Sequence, residues 1–113
     1  MKILLINDNP VVGKLVTLSA QKTGDELITV ANTQEVELSS CDLLIVDDAS
    51  YVEEDINALM EKIECSKSCH IGSRSSEKPA GFTQELNKPF LPTDLVEIFT
   101  TISSSMLEEN SKA

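Results

Sequence analysis

Residues 42–47 read Asp42-Leu43-Leu44-Ile45-Val46-Asp47, four consecutive aliphatic side chains held between two carboxylates. An unbroken apolar run of strand length suits a strand covered on both faces, as in a parallel sheet with helices on either side. Upstream, Lys2 to Ile6 is a second apolar run, and it breaks into Asn7-Asp8-Asn9-Pro10. Val12, Leu15, Val16 and Ser19 then fall at the i, i+3, i+4, i+7 spacing of one helix face. Asn9 suits an N-cap, Pro10 a first helical position whose missing N–H has no intrahelical partner, and Gly24 a stop, which predicts a helix over 10–23. Glu26 to Ala31 carries Leu27, Ile28 and Val30 and reads as a strand. The polar stretch after it offers only Val36 and Leu38 to a core, so any helix there is short.

Downstream of 42–47, Val52, Ile56, Leu59, Met60 and Ile63 form one helical stripe opposed by Glu53, Glu54, Asp55, Glu61 and Lys62. Ser66 to Gly72 is a weaker strand candidate around Cys69 and Ile71. Arg74 to Ala80 is polar with no apolar stripe, so the helix between a fourth and a fifth strand is expected to be short or absent. Phe82 to Leu86 can form the fifth strand. Leu95, Ile98, Phe99, Ile102 and Met106 then mark a last helix that starts at Pro92 or Thr93, with a polar tail from about 108 to 113 expected to fray. Strands alternating with helices in this way predict an α/β fold, a doubly wound five-stranded parallel sheet in one domain over 1–113.

Composition narrows the function. With 41% hydrophobic and 25% charged residues, the 113-residue chain has the make-up of a globular domain that can bury its own core. No apolar run approaches the ~20 residues that a membrane-spanning helix needs. Nineteen acidic residues against nine basic ones give a net charge of -10, the wrong sign for phosphate backbones or anionic lipid, so neither nucleic acid nor membrane is expected as a partner. The N-terminal MKILLIND turns polar too soon for a signal peptide, and a cytoplasmic location is expected. Cys41, Cys65 and Cys69, odd in number, then read as reduced thiols. The spacing of Cys65, Cys69 and His70 matches no common zinc pattern, and they are read as core and loop residues.

Ligands and chemistry in such a sheet collect at the carboxyl ends of the strands. Asp8 follows the first strand, Asp47 ends the third, Ser73 follows the fourth and Lys88 the fifth, so the topology gathers two carboxylates, a hydroxyl and an ammonium at one edge. Two neighbouring carboxylates repel unless a hard divalent cation takes oxygen ligands from both, which points to Mg²⁺. With positive charge on the incoming phosphoryl oxygens, an Asp carboxylate can act as nucleophile and form an acyl phosphate. Taken singly, each of these residues reads as an ordinary strand-end carboxylate or a solvated surface charge.

The segment Ile3-Leu4-Leu5-Ile6-Asn7-Asp8-Asn9-Pro10, the strand 42–47 and Lys88-Pro89-Phe90 together resemble, in order and approximate spacing, the receiver domain of two-component response regulators. The resemblance spans nearly the whole chain and implies the flavodoxin-like strand order 2-1-3-4-5. It makes Asp47 the phosphoacceptor, with Asp48 the less favoured neighbour, and Asp8 a direct Mg²⁺ ligand beside Asp47 and the backbone carbonyl of Ala49. Lys88 becomes the residue that pairs with the phosphoryl group, and the bond before Pro89 one that the family usually keeps cis. The activity implied is self-catalysed phosphotransfer and autodephosphorylation, not conventional turnover. The partners implied are a sensor histidine kinase or phosphotransfer protein and a downstream protein.

Several positions depart from that pattern. The family usually has two acidic residues after the first strand, and here the first is Asn7, which predicts weaker Mg²⁺ binding with Asn7 still able to hold a metal-bound water. The switch hydroxyl of the fourth strand aligns with Ser73 or, alternatively, with Gly72, and Arg74 brings bulk where the family prefers a small residue. Glu85 stands where an aromatic often swings on the fifth strand. These departures keep a second reading open, a phosphorylation-independent pseudo-receiver acting as a protein-interaction module. A flavodoxin would share the fold, but Asn7-Asp8-Asn9 carries the wrong charge for its phosphate loop.

Overall fold

In the computed structural model, the described residues are 2–48, 52–72, 84–87 and 91–112, with only the backbone of 84 and 105–112. Strand β1 (Lys2–Ile6) leads into α1 (Pro10–Thr23), β2 (Glu26–Val30), a single 3-10 turn (Thr33–Glu35) and β3 (Ser40–Asp47). Helix α2 (Glu53–Lys62), β4 (Glu64–Gly72), β5 (Gln84–Asn87) and α3 (Pro92–Lys112) complete the chain. All strand pairs are parallel and the sheet order is β2-β1-β3-β4-β5. This is the doubly wound arrangement that the alternation of strands and helices predicts, in the flavodoxin-like order that the resemblance to receivers implies.

The sheet buries both faces, and two separate cores result. Ile3, Leu5, Leu43, Ile45 and Ile71 pack against Val12, Val16 and Ala20 of α1 and Leu95, Phe99 and Ile102 of α3. Leu4, Ile6, Leu44 and Val46 point the other way, against Val36, against Ile56 and Leu59 of α2, and against Ile63 just past its end. The period-2 alternation of strands thus splits each apolar run between the two layers. Leu43 to Val46 have no exposed surface at all, in keeping with the unbroken apolar run.

Local chemistry sets the element ends. Asn9 sits in extended backbone and its Oδ1 accepts the Val11 N–H at 3.0 Å, while Gly24 closes α1 in the left-handed region at φ 76°. Asn32 caps the 3-10 turn by accepting from the N–H groups of Gln34 and Glu35 at 3.0 and 3.2 Å. With no buried residue on that turn, nothing extends it into a helix. At the start of α3, the Asp94 carboxylate accepts the Leu91 N–H at 2.9 Å, half of a capping box.

Several element bounds differ from the sequence reading, β3 starting at Ser40 and β5 ending at Asn87 among them. Strand β4 begins at Glu64 and runs nine residues, because Ser68 and His70 are buried in it beside Cys69 and Ile71 and erase the apolar signature. Helix α3 continues to Lys112, through most of the segment expected to fray. Val52, placed on the stripe of α2, precedes the helix at its N-cap and is 52% exposed. The segment 73–83, expected to lack a full helix, lies outside the described residues.

Candidate functional site

The carboxyl edge of the sheet is formed by the ends of β1, β3, β4 and β5. Ile6 pairs with Val46 across β1 and β3, so Asn7, the first residue past β1, and Asp47, the last residue of β3, come next along the chain. Across β3 and β4, Asp47 pairs with Ile71, and Gly72 pairs with Asn87 of β5. Asp47 is therefore the last residue of the central strand, with the ends of β1 and β4 on either side. Its side chain has no exposed surface, whereas Asp8, one residue beyond Asn7, is exposed. An ionised carboxylate out of water is costly unless donors or a cation meet it, which separates Asp47 from an ordinary strand-end acid.

Asn7 is 5% exposed and held on three sides. Its backbone N–H donates to Val30 O at 2.9 Å. Its Nδ2 donates to Asn9 O at 2.7 Å and its Oδ1 accepts the Asn9 N–H at 3.0 Å. The amide thus closes the β1–α1 loop on itself, and Asn9 in turn caps α1. Gly13 lies alongside, and a Cβ there would meet Asn7 Nδ2 at 3.4 Å, an ordinary van der Waals contact. Oδ1 keeps one lone pair for a further donor. Glu85 is exposed on β5.

Of the residues singled out in the sequence, the structure brings Asn7, Asp8 and Asp47 to one edge. Ala49, Ser73 and Lys88 lie outside the described residues, as do Pro89 and Phe90; Gly72, the other switch candidate, is the buried last residue of β4. Among the described residues no group of three or more His, Cys, Asp or Glu side chains forms a metal cluster, and Cys65 and Cys69 pack on opposite faces of the sheet. Cys65 instead meets Cys41, a contact that no sequence spacing announces. No helix among the described residues is long and apolar enough to cross a membrane.

No protein-family model and no curated protein matches the chain, whereas solved structures do. The chemotaxis response regulator CheY4 of Vibrio cholerae superposes with a TM-score of 0.70 at 21% identity, over 89% of this chain and 97% of that one. The fold is that of a response-regulator receiver domain. The receiver domain of the sensor histidine kinase PA1611 from Pseudomonas aeruginosa PAO1, described with a magnesium ion coordinated in its active-site cleft, gives 0.68 at 20% identity, over 90% and 97%. A streptococcal protein from a family of redox sensors evolved from two-component response regulators gives 0.76 at 13% identity, over 99% of this chain and 55% of that one. At these identities the likeness to receivers is one of fold.

Proposed function

We propose that this receiver-fold chain, taken as one domain over 1–113, accepts a phosphoryl group on Asp47 from a phosphohistidine of a sensor histidine kinase or phosphotransfer protein. So modified, it changes its binding to a downstream protein. The observation that carries this reading is the fully buried Asp47 carboxylate at the carboxyl end of the central strand, beside the turn that holds Asp8. A carboxylate oxygen of Asp47 attacks phosphorus, the P–N bond to the donor imidazole breaks, and its electron pair returns to the ring nitrogen. The product is an acyl phosphate on Asp47. Lys88 is assigned to the phosphoryl oxygens and the Ser73 hydroxyl to the switch contact, since both follow directly from paired ends of β5 and β4.

The oxygen-rich donor set fits Mg²⁺, which takes one or two carboxylates and keeps several waters. Asp8, Asp47 and the backbone carbonyl of Ala49 would hold it, with the remaining lone pair of Asn7 Oδ1 available to one of its waters. When bound it supplies positive charge against the phosphoryl oxygens. Acetyl phosphate with Mg²⁺ is the direct test of the reading. Intact mass should show one added phosphoryl group on the wild type and none on Asp47→Ala, with Asp48→Ala still modified. No adduct on the wild type with any phosphodonor would leave the pseudo-receiver, a phosphorylation-independent interaction module, as the reading of this fold.

A further inference from the structure

Cys41 and Cys65 take no part in the carboxyl-edge site. They are Cα partners on the adjacent parallel strands β3 and β4, and their Sγ atoms stand 3.0 Å apart with both thiols free. Even carbon atoms in non-bonded contact settle at ~3.5–4.0 Å, so these larger atoms are already closer than packing alone would place them. Neighbouring strands run ~4.8 Å apart, inside the ~4.4–6.8 Å Cα separation that a disulfide spans. The backbone is therefore already placed for a bond between them.

The two thiols are also unequal. Cys65 is half-buried at the edge of the α2-side core, whereas Cys41 lies behind it at 5% exposure. The Cys41 S–H directed at the Cys65 sulfur holds the Cys65 thiol below its ordinary value, against the opposing effect of burial. Cys41 is pushed up by the same contact and by burial. That arrangement gives an accessible attacking sulfur backed by a resolving one. Cys69 belongs to the opposite core, has no exposed surface and is pushed up to about 12 by burial, so it does not compete.

We propose that Cys41 and Cys65 form a reversible oxidation site, a dithiol that a hydroperoxide converts into a cross-strand disulfide. With hydrogen peroxide, the Cys65 thiolate sulfur attacks one oxygen and the O–O bond breaks. The departing hydroxide takes the thiol proton as water and Cys65 becomes a sulfenic acid. The Cys41 sulfur then attacks the Cys65 sulfur, the S–O bond breaks, and the Cys41 proton leaves with that oxygen as a second water. Two thiols lose two electrons in total and one peroxide gains them. The bond closes the chain between 41 and 65, the segment that carries Asp47 and α2, and does so at the edge of the sheet opposite Asp47.

The test treats the full chain with hydrogen peroxide, quenches with maleimide and maps the peptides. Trypsin cutting after Lys22, Lys62, Lys67 and Arg74 places the three cysteines on separate peptides. The expected result is a loss of two hydrogen masses, a linkage between peptides 23–62 and 63–67 within one chain, and full reversal by dithiothreitol. Cys69→Ser should cross-link as the wild type does, and Cys41→Ser should stop at a Cys65 sulfenic acid that dimedone captures. Full maleimide labelling of Cys41 and Cys65 after peroxide would overturn the proposal, as would a linkage to Cys69 or one formed only between chains. The wild type and Cys69→Ser decide the matter even if a substitution at 41 or 65 prevents folding.

Discussion

Asn7 is where charge and structure compete most directly. Its amide donates to Asn9 O at 2.7 Å, a bond that a carboxylate at this position cannot make. Asn7→Asp should therefore cost ~0.5–1.5 kcal/mol of stability in a denaturant titration. The same change restores a negative charge beside Asp47, worth up to a few kcal/mol at an effective dielectric of ~20 before solvent and salt reduce it. Mg²⁺ affinity measured by calorimetry should rise about tenfold, ~1.4 kcal/mol; an unchanged affinity would remove Asn7 from the account of metal binding. The thiols supply a pH signature. Cys69 stays protonated in the folded chain up to about 12 but ionises near 9.0 when unfolded, so its contribution to stability is present below pH 9 and lost as pH rises toward 12. Alkylation at neutral pH should accordingly label Cys65 well before Cys69. Asp8 and Asp47 were legible as strand-end carboxylates, but the Asn7–Asn9 contact was not, because an Asx residue can bond many backbone groups and only the loop's course selects one. The Cys41–Cys65 contact depends on strand register, where a slip of one residue would send the side chains to opposite faces.

The elements whose apolar spacing matched their burial were legible, and those that bury polar groups were not. Helix α1 runs from Pro10 to Thr23 as the Asn9 cap, Pro10 and Gly24 predict. Strand β4 was under-read because buried Ser68 and His70 look like loop residues in a sequence. Helix α3 was cut short because its last turns carry no apolar stripe to mark them. Two substitutions test this level. Gly13→Ala meets only ordinary contact at 3.4 Å, so the helix propensity gain of ~0.5–1 kcal/mol should appear as added stability; a loss would mean that the Asn7 loop needs more room than this geometry gives it. Phe99 on α3 has no exposed surface and joins α3 to the sheet, and Phe99→Ala should cost ~3–5 kcal/mol in the same titration.

The molecule as a whole places one surface of α1 close to the acidic edge. An open cavity of about 530 Å³ lies along this helix, lined by Pro10, Val11, Lys14, Leu15 and Leu18, and Val11 and Leu18 are 65% and 41% exposed. If the proposed phosphohistidine donor docks on this exposed apolar surface, Val11→Ser combined with Leu18→Ser should slow its phosphotransfer several-fold and leave modification by acetyl phosphate unchanged, since the small donor needs no docking surface. Equal loss with both donors would put the effect in the site itself. The proposed phosphorylation falls on a single group, the Asp47 carboxylate. Borohydride reduction of protein treated with acetyl phosphate and Mg²⁺ converts an aspartyl phosphate to homoserine, and peptide mass then locates it. Homoserine is expected at position 47; its appearance only at 8 or 48, or at no position while the phosphodonor remains intact, would contradict phosphorylation of Asp47.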